Sequence, residues 1–199
     1  MGLIRRLIMQ VLLLNGSSKD DAFSQQLCDI FVNELEKHDN KVEVIELCDT
    51  RIESCLGCFG CWVKTPGICV INDAGRDLAK SVVQSDLVIS VSLVTFGGYS
   101  YEVKKALDRL IPIISPFFKK INGEVHHKPR YKRYPKVISI GTLTENKQEL
   151  IDTFQYLVKR NAINMHSPVY LSRVFLNNEA AQGLGQEVFE VLKEAGAVK

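Results

Sequence analysis

The sequence predicts an α/β fold: a doubly wound, five-stranded parallel sheet with helices on both faces. Three observations point there. Short, continuous apolar runs recur at strand length, as expected for strands buried on both faces. Segments with apolar residues at helical spacing stand between them. The longest chemistry-bearing loops follow strands rather than helices, which is where ligands sit in this architecture.

Gln10–Asn15 is the first apolar run, closed by Asn15-Gly16. Ser24 to Lys37 has helical periodicity through Leu27, Ile30, Phe31 and Leu35. Lys41–Leu47 alternates as a second strand, and a cysteine-rich loop follows it. Asp73 is placed to cap a helix running to Gln84, because its carboxylate can accept from free helix N–H groups. Asp86–Ser92 is a third buried strand, Tyr101–Ile111 a helix and Lys136–Gly141 a fourth strand. Glu149–Arg160 is helical, Val169–Phe175 is the fifth strand, and Glu179–Ala195 is the last helix. The expected organisation is one domain over 1–199, with a cysteine-rich loop at 55–69 and an insertion at 112–135. Insertions of that length often serve as lids or interfaces.

The 199 residues suffice for a buried core, and the +2 formal charge with 24% charged residues is an ordinary globular balance. Neither nucleic acid nor a membrane surface is an expected partner. Arg5-Arg6 beside apolar residues faintly resembles a signal peptide, but no small-residue cleavage site follows. Met9 is an alternative start. Six cysteines without a secretion signal point to a reducing, cytoplasmic setting.

Four of those cysteines, Cys55, Cys58, Cys61 and Cys69, fall in C-x2-C-x2-C-x7-C order. Such spacing lets thiols turn toward one centre. It admits a 4Fe–4S cluster, zinc, a redox thiol pair, or small buried groups in a structural loop. Cys28 and Cys48 read as core residues. In the first loop Gly16 permits a tight turn. Ser17, Ser18 and Ser24 offer hydroxyls, Lys19 offers charge and the helix start offers free N–H groups, a set suited to phosphate. A polar turn with an N-cap is the plainer alternative. Neither G-x-G-x-x-G nor the Walker loop is present. After the third strand, Thr95, Phe96, Gly97, Gly98 and Tyr99 offer close backbone approach and flat apolar surface for a planar ring. The two loops together suggest a mononucleotide such as FMN.

These residues resemble the flavodoxin-like NAD(P)H-dependent FMN reductases, in the branch that contains the iron–sulfur flavoproteins. The resemblance runs from about Val11 to Thr142. It is carried by Gly57-Cys58-Phe59-Gly60-Cys61-Trp62, Thr65-Pro66-Gly67-Ile68-Cys69, Phe96-Gly97-Gly98-Tyr99-Ser100 and Leu107-Asp108-Arg109. It implies FMN with its phosphate at Ser17, Lys19, Ser24 and Gln25. Val94, Thr95, Phe96, Gly97, Gly98 and Tyr99 would flank the ring, and Thr142 would close the site. Cys55, Cys58, Cys61 and Cys69 would be the cluster ligands. It further implies NAD(P)H as co-substrate, a homodimer or homotetramer, and, with a cluster, a ferredoxin partner. A flavin or quinone reductase is the expected activity. A ferredoxin-linked electron carrier and a non-enzymatic flavin/thiol sensor are the alternatives. No acid or base is singled out, because hydride transfer to flavin needs position more than proton transfer.

Beyond these loops, Asp108-Arg109 reads as a structural ion pair or interface contact. Trp62 packs over the flavin, at an interface, or beneath its own loop. His126, His127 and Arg130 form a basic patch that could meet an acidic substrate or simply face solvent.

Overall fold

A computed structural model describes residues 8–177 and 181–199. The reading of Arg5-Arg6, and the expected start of the last helix at Glu179, lie outside the described residues.

The chain runs β1 (Gln10–Asn15), α1 (Ala22–Lys37), β2 (Lys41–Glu46), a short α2 (Gly60–Val63), α3 (Ala74–Gln84), β3 (Leu87–Leu93) and α4 (Tyr101–Asp108). A 3-10 turn over Ile111–Ile113 leads to the hairpin β4 (Ile114–Ile121) and β5 (Glu124–Pro129). β6 (Lys136–Leu143), α5 (Gln148–Asn164), β7 (Tyr170–Leu176) and α6 (Ala181–Glu194) complete it. The main sheet has order β2-β1-β3-β6-β7 with every pair parallel. This is the flavodoxin-like order, whose direction switches between β1 and β3.

The sheet is covered on both faces. Val11, Leu13, Ile89 and Ile138 pack with Phe31 and Leu35 of α1 and Val188 and Leu192 of α6. Leu12, Leu14 and Val88 pack with Leu78 of α3, Val103 of α4 and Phe154 of α5. Alternate residues of one strand therefore feed opposite cores, which is why β1 and β3 read as continuous apolar runs.

Two expectations need correction, and the segment expected as an insertion gains defined strands. The helix expected over Tyr101–Ile111 ends at Asp108, because Pro112 disfavours helical backbone at Ile111 and the chain tightens into a 3-10 turn. The insertion is a two-stranded antiparallel sheet, β4 with β5. Cys48 is exposed rather than core, because β2 stops at Glu46 and Leu47 takes the buried position in the turn that follows. Cys28 is buried as expected. Among the described residues no helix is long and apolar enough to cross a membrane.

Candidate functional site

The carboxyl ends of β1, β3 and β6 open into a cleft of about 680 Å³, at the switch between β1 and β3. A cavity of about 490 Å³ lies at the opposite end of the strands, beside Met9, Asn40 and Lys136. The carboxyl-edge cleft is the candidate site, because that edge collects the loops and helix N-termini where ligands bind in this architecture.

The first loop is held by its own polar groups. Asn15 is fully buried. Its Nδ2 donates to Gln25 Oε1 at 3.0 Å and Glu46 Oε2 at 2.8 Å. Its Oδ1 accepts from the Ser17 amide at 3.1 Å and the Ser17 hydroxyl at 2.6 Å. Gln25 Nε2 donates to Ser17 Oγ at 3.2 Å. Gly16 carries this turn against β3 and α4. Its N–H donates to Val91 O at 2.9 Å, and an added Cβ would meet Val103 Cγ2 at 2.1 Å. Asp21 is the N-cap of α1, accepting from the Ser24 amide at 3.1 Å and the Ser24 hydroxyl at 2.6 Å. The Ser24 hydroxyl also lies 3.1 Å from Thr142 Oγ1. With the Ser24 hydrogen committed to Asp21, Thr142 is the donor of that pair.

Of the residues expected at a cofactor, Ser17 and Thr142 line the cleft, while Ser24 and Gln25 stand behind them as supports. Lys19 is turned outward to Asp49, with Nζ 2.7 Å from Oδ1, and that carboxylate raises the lysine pKa. Val94 and Tyr99 are buried in the core. The Tyr99 ring meets Phe154 edge-on at 5.3 Å, and burial pushes its phenol upward. Thr95 and Gly98 exchange two backbone hydrogen bonds, 3.0 and 2.8 Å, closing a turn with Phe96 at φ +50° and Gly97 at φ +78° at its tip. Phe96 is 96% exposed, an aromatic ring with no cover on a left-handed backbone. Sequence reasoning missed Ser100, Tyr101, Thr144 and Asn177, which also line the cleft. Ser100 carried a legible signal as the polar residue before a helix. It caps α4 and its hydroxyl donates to Gly16 O at 2.9 Å.

Among the described residues no lysine or arginine lines the cleft; Asp20, Asp21 and Glu102 do. The hydroxyl hydrogens of Ser17, Thr142 and Ser100 go to Asn15, Ser24 and Gly16, so its donors are the Ser18 and Thr144 hydroxyls, backbone amides and the N-terminus of α1. That set fits a phosphate monoester bound through neutral groups and a helix end. The volume lies within the range of small-molecule and cofactor sites.

The cysteine loop is a separate construction. Cys61 is buried in α2, Cys69 is half-buried, and Cys55 and Cys58 are exposed. Burial, then the neighbouring Cys69, raises the Cys61 thiol. Among the described residues no group of three or more His, Cys, Asp or Glu side chains is arranged to hold a metal ion. In this conformation the four thiols therefore do not fit a cluster. Arg109 is an ion-pair residue, but its partner is Asp73 at 2.6 Å, whereas Asp108 pairs with Lys104 at 2.5 Å. Trp62 lies beneath its own loop. Its Nε1 donates to Ile111 O at 3.1 Å and Ile114 O at 3.0 Å, with its ring between Phe59 and His127. His127 bonds Ser115 O, and His126 is buried beside Glu124, so neither histidine is a free surface group.

Two solved structures share the fold. An NAD(P)H:quinone oxidoreductase from Methanothermobacter marburgensis superposes with TM-score 0.66 at 12% identity, over 96% of both chains. An FMN-dependent NADH-azoreductase from Bacillus anthracis, solved with FMN, gives 0.65 at 13% identity over 94% of this chain and 97% of that one. An iron–sulfur flavoprotein of Methanocaldococcus jannaschii is 30% identical over 105 residues, 53% of each chain. One from Archaeoglobus fulgidus is 31% identical over 97 residues, 49% of this chain and 43% of that one. The chain thus matches about half the length of these curated relatives. A family model described as NADPH-dependent FMN reductase matches residues 9–130, more than half of the sequence. The chain belongs to the NADPH-dependent FMN reductase family.

Proposed function

We propose that this protein is an FMN-dependent oxidoreductase that takes a hydride from NAD(P)H and passes electrons to a flavin- or quinone-type acceptor. The observation that carries the reading is the cleft at the strand switch, walled by hydroxyls, amides and a helix N-terminus, in a chain of this family. Bound FMN would supply the hydride-accepting centre. The chain's own part is positioning. The amides at the start of α1 hold the phosphate end, with Ser17, whose two donors go to Asn15, and with Gln25, Asp21 and Ser24 fixing that turn in place. Thr142 closes the floor. The turn Thr95–Gly98 holds Phe96 out as a flat face for the ring, while Val94 and Tyr99 anchor the turn in the core. Lys19 contributes charge from outside the cleft. A homodimer or homotetramer belongs to the same proposal, as does a cytoplasmic setting, which the six free cysteines support.

A second reading, a cluster-bearing electron carrier served by ferredoxin, is supported by the names of the curated relatives and by Cys55, Cys58, Cys61 and Cys69. The arrangement of those thiols does not favour it over the first.

The test is anaerobic purification, FMN titration followed by flavin fluorescence, and stopped-flow mixing with NADH or NADPH, then with a quinone. Stoichiometric FMN binding and flavin bleaching by either nucleotide are expected. Failure to bind added FMN would sink the proposal. FMN binding without bleaching by either nucleotide, alongside iron and sulfide in the protein, would favour the carrier.

A further inference from the structure

The cysteine loop begins and ends on one buried side chain. Arg109 is 1% exposed. Its Nη1 donates to Glu53 O at 2.7 Å and Asp73 Oδ2 at 2.8 Å; its Nη2 donates to Asp73 Oδ1 at 2.6 Å and, at 3.4 Å, to Ile71 O. Asp73 returns the link by accepting from the Glu53 amide at 2.8 Å, and it caps α3 through Gly75 N at 3.0 Å. Entry and exit of the loop, 20 residues apart, are thus joined through one guanidinium–carboxylate pair. The pair is bidentate, the geometry that gives arginine–carboxylate contacts both strength and direction.

The two halves of the loop differ sharply. The half that carries Cys61 and Cys69 is fastened. The Gly67 amide donates to Cys61 O at 2.9 Å, and Arg76 Nε donates to Cys69 O at 2.8 Å. Trp62 is bonded to the 3-10 turn, and the Cys69 side chain lies within interacting reach of the Arg109 guanidinium. The other half, Ser54–Cys58, is exposed throughout, and its backbone makes no hydrogen bond to another described residue. Gly57 at φ +62° and Phe59 at φ +53° mark where this arm turns into the fastened half. The buried Nε of Arg109 has no hydrogen-bond acceptor among the described residues.

The geometry points to Arg109 as a positioning residue for the loop thiols. By closing the neck it seats Cys61 and Cys69 and leaves the Cys55–Cys58 arm as the unfastened half of the loop. The inference is independent of whether the cleft binds flavin.

The six cysteines provide the test. Metal-free protein is pulsed with N-ethylmaleimide, and each cysteine is followed by mass spectrometry. Cys28, a buried residue of α1 in the core on the other face of the sheet, is the internal reference, because global unfolding exposes it together with Cys61. In the unaltered protein Cys55 and Cys58 should react at least about tenfold faster than Cys61, as local protection predicts. Arg109→Met should raise the Cys61 and Cys69 rates, relative to Cys28, by about tenfold through local opening. Arg109→Lys, which keeps the charge without the fork, should fall between. Equal rates at all four loop cysteines in the unaltered protein would overturn the division into two halves. An unchanged ratio of Cys61 to Cys28 in Arg109→Met would overturn the role of the clasp.

Discussion

The loops after β1 and β2 leave the same edge of the sheet and are built in opposite ways. Asn15–Gln25 is fixed by several short, mostly neutral hydrogen bonds among Asn15, Ser17, Gln25, Asp21, Ser24 and Thr142. Glu53–Asp73 is fixed at its neck by one buried ion pair. The first construction is redundant: losing one partner leaves the turn held by the rest. The second concentrates its closure at one point, so both ends of the loop depend on the same two side chains. Redundancy suits a cradle that must be rigid before its ligand arrives. A single clasp suits a loop in which only half is meant to be fixed.

The comparison is broken most directly at Asp73. Asp73→Ala removes the α3 cap and leaves the Arg109 guanidinium buried without its counter-charge. Loss of one partner of a buried pair costs about 3–5 kcal/mol. Urea unfolding should show it as a lower midpoint with an unchanged slope. A cost below about 1 kcal/mol would mean that the loop relaxes to let water reach Arg109, and that the pair is no clasp.

Acid should attack the same point. The Arg109 hydrogen bonds hold the Asp73 carboxyl down to about 2, from an ordinary 3.8. A carboxylate whose folded pKa is depressed contributes stability that is fully present above its unfolded value. That contribution is lost as pH falls through the folded value. The window is therefore pH 4 to 2, and the stake is about 2 kcal/mol at 1.36 kcal/mol per unit. Urea unfolding at pH 5 and pH 2.5 measures it, and Asp73→Asn should lack that part of the acid loss. An identical acid limb in Asp73→Asn would assign the loss to other carboxylates.

The redundant loop should respond less. Ser24→Ala removes a hydroxyl that bonds Asp21 and faces Thr142, while Asp21 keeps the Ser24 amide. One net hydrogen bond is worth about 1 kcal/mol. Stability should fall by about that much, and FMN affinity by no more than about fivefold, on the order of 1 kcal/mol. A larger loss would make Ser24 a direct ligand contact rather than a support.

The difference between the loops also decides what the sequence could reveal. The central strands β1 and β3 were legible because burial on both faces writes them as apolar runs, as in Leu12–Leu14 and Leu87–Ile89. Asp73 as a cap was legible because capping is local. The hairpin was not. Phe117, Phe118, Lys119 and Lys120 are all exposed, so β4 lacks the alternation that marks a half-buried strand. In the first loop the polar residues announced a site, but which of them face the cleft depended on tertiary partners. Asp49 draws Lys19 outward and Phe154 draws Tyr99 inward. The clasp was out of reach, because Asp73 and Arg109 are 36 residues apart and nothing in either neighbourhood marks the pairing. The motif Leu107-Asp108-Arg109 stood out as a unit, yet the fold splits it between Lys104 and Asp73.

Lys19 gives the smallest expected effect and the sharpest reading of the first loop. A lysine beside a phosphate turn suggests a charged clamp, and its loss would then cost tenfold or more in affinity, about 1.4 kcal/mol. Its ammonium is instead paired with Asp49 on an open surface, 70% exposed. A pair of that kind contributes little and is screened by salt. Lys19→Ala should therefore change FMN affinity by about twofold or less, with little dependence on salt. A tenfold loss that shrinks at high salt would show the lysine leaving Asp49 for the phosphate. The cradle would then depend on a cation, and the contrast between a neutral, redundant loop and a loop closed by one charge would fail.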